Sequence, residues 1–194
     1  MRANICCNFA FSIALAVLVL RPASAAEKRR HEAHAHGIAE INIAVDGSKA
    51  DVEFRAPAEN VMGFEHEAKS ESDKKKRDAA LRTVQTKMSQ MVVFDAKLGC
   101  KFSDVNTVLV EEKGESHKTQ PSKDTHAHKD QKKTAEHREV RATASVACDK
   151  PLAGSRARFG VHKTFPTIHE IKVQVLGAKQ SGATIKKDQG EVSL

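Results

Sequence analysis

The chain has 194 residues, 40% of them hydrophobic, enough for one domain with a real core. It carries a formal net charge of +7, with ten histidines, four cysteines and no Trp or Tyr. Basic charge without those two rings offers little for bases to stack on, so a nucleic-acid role is set aside.

The first 25 residues read as a cleavable export signal. Arg2 is the positive start, "FAFSIALAVLVL" (Phe9 to Leu20) is an apolar run of signal length, and "ASA" (Ala23 to Ala25) is a small-x-small cleavage site. The run falls short of the ~20 residues that span a bilayer, so stable membrane insertion after cleavage is not expected. Cleavage after Ala25 removes Arg2 and Arg21 and leaves a charge of +5. It also removes Cys6 and Cys7. Cys100 and Cys148 then remain in an oxidising compartment and are expected to form a disulfide. Closing a loop of roughly fifty residues is worth about 3–5 kcal/mol through restriction of the unfolded chain.

Residues 26–37 form a flexible leader containing "HEAHAHG", with His31, His34 and His36. Then "IAEINIAVDGSKADVEFRAP" alternates twice around a turn, with Ile41, Ile43 and Val45 on one face and Val52 and Phe54 on a face of the next run. "DGS" is hairpin chemistry, so two antiparallel strands are predicted, the second ending at Pro57.

A short irregular or helical connection, "AENVMGFEHEAKSES", leads to a helical period over "SESDKKKRDAALRTVQTKMSQMVVF". Leu81, Val84, Met88 and Met91 make its apolar stripe, and Ser70 with Asp73 suits a capping box. The methionines read as core residues.

"GCKFSDVNTVLVEE" and "EHREVRATASVACDKP" are two further strand regions, each associated with one cysteine. They could meet as neighbours in one sheet or face each other across a core. Between them, residues 113–136 have only Ala127 and Ala135 as apolar members. Such a stretch cannot offset its ordering entropy by burial and is expected to be a mobile loop carrying His126 and His128. The tail is read as a short strand at Arg158–His162, a strong strand through Ile171, Val173 and Val175, and a last edge strand after "GAKQSG". The predicted fold is α+β, an antiparallel β-rich domain over 38–194 with one main amphipathic helix.

Histidine distribution carries the functional reading. His34 with His36, and His126 with His128, are two H-x-H pairs, and an extended H-x-H puts both rings on one side. Four imidazole nitrogens suit Zn²⁺, Cu²⁺ or Ni²⁺. A metalloprotease motif is excluded, because H-E-x-x-H needs histidines at i and i+4, whereas His34 follows His31 by three. No nucleophile motif occurs either, so no enzymatic activity is expected. His162 and His169 read as satisfied residues at sheet edges. His66, between Glu65 and Glu67 and beside Phe64, is a weaker candidate, since a neighbouring carboxylate can ligate a metal or orient a ligand.

In order, "AHAHGIAEINIAVDG", "FRAPAENVMGFEHEA", a helix, "GC", a histidine-bearing polar segment, "VAC", "FP" and "IKVQV" resemble the ZrgA-type family of periplasmic zinc-uptake proteins. The resemblance covers nearly all of 26–194, and "PAxxxxGFEH", with Pro57, Ala58, Gly63, Phe64, Glu65 and His66, is its most specific element. It implies a soluble periplasmic protein that captures or buffers Zn²⁺ and assists an ABC-type zinc importer. It also implies metal roles for His34, His36, His66 and Glu65, with His31 auxiliary and His126 and His128 in the loop. Lys123, Lys129, Lys132 and Lys133 stand where relatives often carry acids, which weakens cation capture by that loop. The rival expectation is a non-metal envelope adaptor that binds a protein partner through a sheet edge or the basic loop.

Overall fold

The computed structural model describes residues 36–112, 137–186 and 190–194. The expected signal peptide, most of the leader with His31 and His34, and the 113–136 segment with His126 and His128 lie outside the described residues.

The predicted hairpin is present. β1 (Ile38–Asp46) and β2 (Lys49–Pro57) run antiparallel, with Ile41 opposite Phe54 and Ile43 opposite Val52. β2 pairs on its other side with β5 (His137–Ala147), which pairs with β4 (Lys101–Glu112). β7 (Glu170–Leu176) lies parallel to β1, and β8 (Ser181–Lys186) forms the far edge. The sheet order is therefore β4-β5-β2-β1-β7-β8. The fold is the expected β-rich α+β domain, its sheet antiparallel at every pair except β1–β7. The free edge of β1 is filled by a strand returning from elsewhere in the chain, a pairing that local alternation does not encode.

Alternation sorts the two faces of this sheet. Ile41, Ile43, Val52, Phe54, Ala142, Ala144, Val173 and Val175 are all buried in one apolar cluster. Fully burying a side chain such as Phe54 contributes about 1.5–3 kcal/mol. The opposite face is polar and charged. Arg55 and Arg141 stand opposite each other there, a like-charge pair that needs compensation. Glu139 supplies it, accepting two hydrogen bonds from Arg55 at 2.6 and 2.9 Å and lying 3.5 Å from Arg141. That bidentate bond, with Glu139's charge, holds Arg55 protonated well above the ordinary guanidinium range despite partial burial.

The main helix, α2 (Glu71–Met91), lays Ala80, Val84, Met88 and Met91 into the same cluster. Leu81, expected in the stripe, is only partly buried. The Ser70 hydroxyl caps its first turn, accepting from the Asp73 N–H at 3.0 Å and donating to the Asp73 carboxylate at 2.6 Å.

Three readings of the chain are corrected. The helix stops at Met91, and Val92–Phe94 form β3, as suits two β-branched residues and an aromatic at a buried position. The strand expected at Arg158–His162 is β6 (Arg156–Phe159), and Val161–Thr164 turn into the short helix α3. Gly160 separates them because the chain crosses the end of α2 there. Its N–H donates to Met91 O at 2.9 Å, and a Cβ would sit 2.7 Å from Gln90 O. Finally, β8 is an edge of its sheet but not the last strand. Glu191–Ser193 form β9, which joins β3 and β6 in a second sheet of order β3-β6-β9.

Cys100 and Cys148 form a disulfide, immediately before β4 and immediately after β5. The cysteines thus meet beside paired neighbours, Lys101 opposite Ala147, and not across the core. The 113–136 segment departs from the opposite end of the same strand pair, where Glu112 stands opposite His137. α1 (Ala58–Met62) follows β2 directly.

Candidate metal centre

The end of the leader is held in place by the first helix. Gly37 adopts φ 81°, in the left-handed region that favours glycine. Its carbonyl accepts from the N–H groups of His169 and Glu170 at 2.9 and 3.1 Å, which docks the start of β1 on β7. Its own N–H donates to Asn60 Oδ1 at 2.9 Å, and Asn60 Nδ2 donates to Ile38 O at 3.1 Å. Asn60 is buried, and its backbone carbonyl accepts from the Thr167 hydroxyl at 2.6 Å. A residue on α1 therefore clamps the backbone next to His36.

The same helix supplies a carboxylate. Glu59 sits one position before Asn60, and its Oε2 lies 2.8 Å from His36 Nδ1. The helix ends as the Gly63 N–H donates to Glu59 O at 2.9 Å, with Gly63 at φ 83°. That reversal brings Glu65 back toward Glu59. One ligand atom each from His36, Glu59 and Glu65 then lie within 4.8 Å of one another. Side-chain exposure falls from 69% at His36 to 47% at Glu59 and 25% at Glu65, so the cluster opens to solvent on the histidine side. His137 Nδ1, at the start of β5, is 3.8 Å from Glu65 Oε2.

Of the residues singled out from the sequence, His36 and Glu65 come together here. His66 does not join them. Its ring lies against Phe64, centroids 4.7 Å apart, and its Nε2 is 3.4 Å from Asp73 Oδ2 at the cap of α2. His162 bonds Ile168 O through Nδ1 at 2.9 Å, satisfied as expected although it lies on α3. The His169 ring occupies the space where a Cβ on Gly37 would fall.

Glu59 was missed in the sequence reading. It stands at the first unspecified position of the "PAxxxxGFEH" run, and an acid within that run was the available signal.

An imidazole and two carboxylates are a donor set for a divalent cation such as zinc, which takes nitrogen at ~2.0–2.1 Å and carboxylate oxygen at ~2.0–2.2 Å. The two carboxylate charges offset the charge of such an ion. Three protein donors leave one position of a tetrahedral zinc for a fourth ligand. Among the described residues no helix is long and apolar enough to cross a membrane.

The protein is a β-rich α+β domain with an open imidazole–carboxylate cluster at the entry of its first strand, a donor set of the kind a divalent cation takes. Residues 33–194 match the family described as ZrgA family zinc uptake protein, and the chain belongs to that family. It is accordingly a protein of zinc uptake. None of the curated proteins compared with the chain matches it.

Proposed function

We propose that the protein is exported to the periplasm, captures or buffers Zn²⁺ there, and hands it to an ABC-type zinc importer. The observation that carries this reading is the approach of His36, Glu59 and Glu65 within 4.8 Å at the surface. A carrier must release its ion, and donors reached by solvent are displaced by water more readily than buried ones. The signal-like segment ending at Ala25 supports export. His34 stands two positions before His36, and His128 nine positions before His137, so both H-x-H pairs attach to the chain near this cluster. They serve as additional nitrogen donors that raise the local capacity for zinc. The protein acts as a carrier and has no catalytic role.

Calorimetric titration of the metal-stripped mature chain tests the reading. Wild type should bind zinc, the combined His34, His36, His126 and His128 to Ala variant should bind markedly less, and His36→Ala with Glu59→Gln should remove one component of the binding. Equal isotherms for all three proteins would refute it.

A further inference from the structure

Resting on the zinc reading above, we propose that His137 is a fourth donor, so that the folded site is His36, Glu59, Glu65 and His137. In the sequence His137 is only an isolated histidine at the end of a polar segment. The sheet gives it a place. β5 pairs with β2 as far as Glu139 opposite Pro57, and then runs on two residues past the point where β2 passes into α1. His137 is thereby carried alongside the connection that holds Glu65.

The separation suits a shared ion better than a direct bond. His137 Nδ1 lies 3.8 Å from Glu65 Oε2, beyond hydrogen-bonding range. Two donors bound tetrahedrally at ~2.0 Å to one zinc are ~3.3 Å apart, so the half-exposed His137 side chain, which stands outside the 4.8 Å grouping of the other three, must rotate inward to share the ion with Glu65. Glu65 is the link, since its carboxylate belongs to the three-residue cluster and also faces His137. Two neutral imidazoles and two carboxylates around a divalent ion leave no net charge, which favours zinc at a partly buried carboxylate such as Glu65. Such an ion would tie three separate segments together: the entry to β1, the α1 connection and the start of β5.

The test uses the full mature chain with His31, His34, His117, His126 and His128 replaced by Ala, so that only the folded site and the remaining core histidines contribute. In this parent, zinc-edge X-ray absorption should report two imidazoles on the metal, and His137→Ala should reduce that to one. Zinc affinity should fall by at least roughly 100-fold, the upper end of the cost of removing a ligand's outer partner. His66→Ala should leave the affinity unchanged. His137 is half exposed, so its removal should spare the fold. The melting temperature without metal checks this, and His137→Asn is the second variant if the alanine protein is destabilised. One imidazole on the parent's metal, with both His137 variants binding as the parent does, would overturn the fourth donor while leaving the zinc reading intact. A wild-type chain that binds no zinc would overturn both.

Discussion

Asn60 and Gly37 are joined across the start of the sheet: the buried side-chain oxygen of Asn60 accepts the Gly37 N–H at 2.9 Å. With the companion bond to Ile38 O, this side chain fixes the backbone that carries His36, while the neighbouring Glu59 meets the His36 ring. Asn60→Ala would leave the Gly37 N–H and the Ile38 carbonyl without these partners. A buried polar group without its partner costs about 1–3 kcal/mol. The variant should therefore melt lower than wild type in a thermal scan, and calorimetry should show weaker zinc binding although no donor was changed.

Gly37→Ala should act at the same point for a steric reason. The backbone is at φ 81°, which costs an L-residue about 1–2 kcal/mol, and the new Cβ would fall within the His169 ring. Denaturant unfolding should give a midpoint lower than that of wild type. Substituting His169→Gly in the Gly37→Ala background should recover the steric part of the loss and leave the conformational part.

The disulfide and the proposed donor His137 lie at opposite ends of the β4–β5 pair. Between them the register shifts by a bulge between Ser103 and Asn106, where Asp104 takes φ 51°. Closing 48 residues of chain is worth about 4 kcal/mol. Cys100→Ser with Cys148→Ser should lower the unfolding free energy by that order in urea titration. Zinc affinity should fall less than stability does, because the β2–β5 pairing from Lys49–Ala147 to Pro57–Glu139 still places His137.

The cap of α2 should show itself in the pH dependence of stability. The Ser70 hydroxyl holds the Asp73 carboxyl below its usual range, opposed by desolvation and aided by the hydrogen bond with His66. A carboxyl with a depressed folded value stabilises above the unfolded value of ~3.9 and loses that contribution as pH falls through the folded one. Asp73→Asn should therefore lower the melting temperature at pH 7, and the difference from wild type should shrink as pH falls below the ordinary carboxylate range. Ser70→Ala should cost about 1 kcal/mol at neutral pH, as loss of an N-cap usually does.

Zinc should stabilise the folded chain in proportion to its occupancy. At a free concentration 100 times the dissociation constant the gain is about 2.7 kcal/mol, which for a domain of this size is a rise of roughly 5–10 °C in melting temperature. Imidazole binds metal only when neutral, so the rise should shrink as the buffer is taken below the ordinary histidine value of ~6.5. Differential scanning fluorimetry with and without zinc at pH 7.5 and pH 5.5 measures both effects.

Local pattern explains why much of the fold is legible before any coordinates. The β1–β2 hairpin follows from period-two alternation around a short glycine-containing turn, and α2 follows from the spacing of Val84, Met88 and Met91 behind the Ser70 cap. The errors fall where local pattern is silent or ambiguous. Val92–Phe94 continue an apolar run that a helix and a buried strand can both use, and Gly160 breaks a strand for the sake of a neighbour 70 residues earlier. The parallel pairing of β7 with β1 depends on where the chain returns, which no window of adjacent residues contains.

The candidate site divides in the same way. Residue chemistry singled out His36, the family resemblance added Glu65, and reading the first 25 residues as a cleavable signal left Cys100 and Cys148 as expected partners. Glu59 became a neighbour of His36 only through the Asn60 clamp and the reversal at Gly63, and His66 was drawn away to Asp73. His137 came beside Glu65 only because β5 extends past the end of β2. The sequence by itself determined which chemistries were available and the local periods that build strands and helix. Which of those side chains share a site was decided by long-range pairing, since a ligand's neighbours are set by register and crossover and not by spacing along the chain.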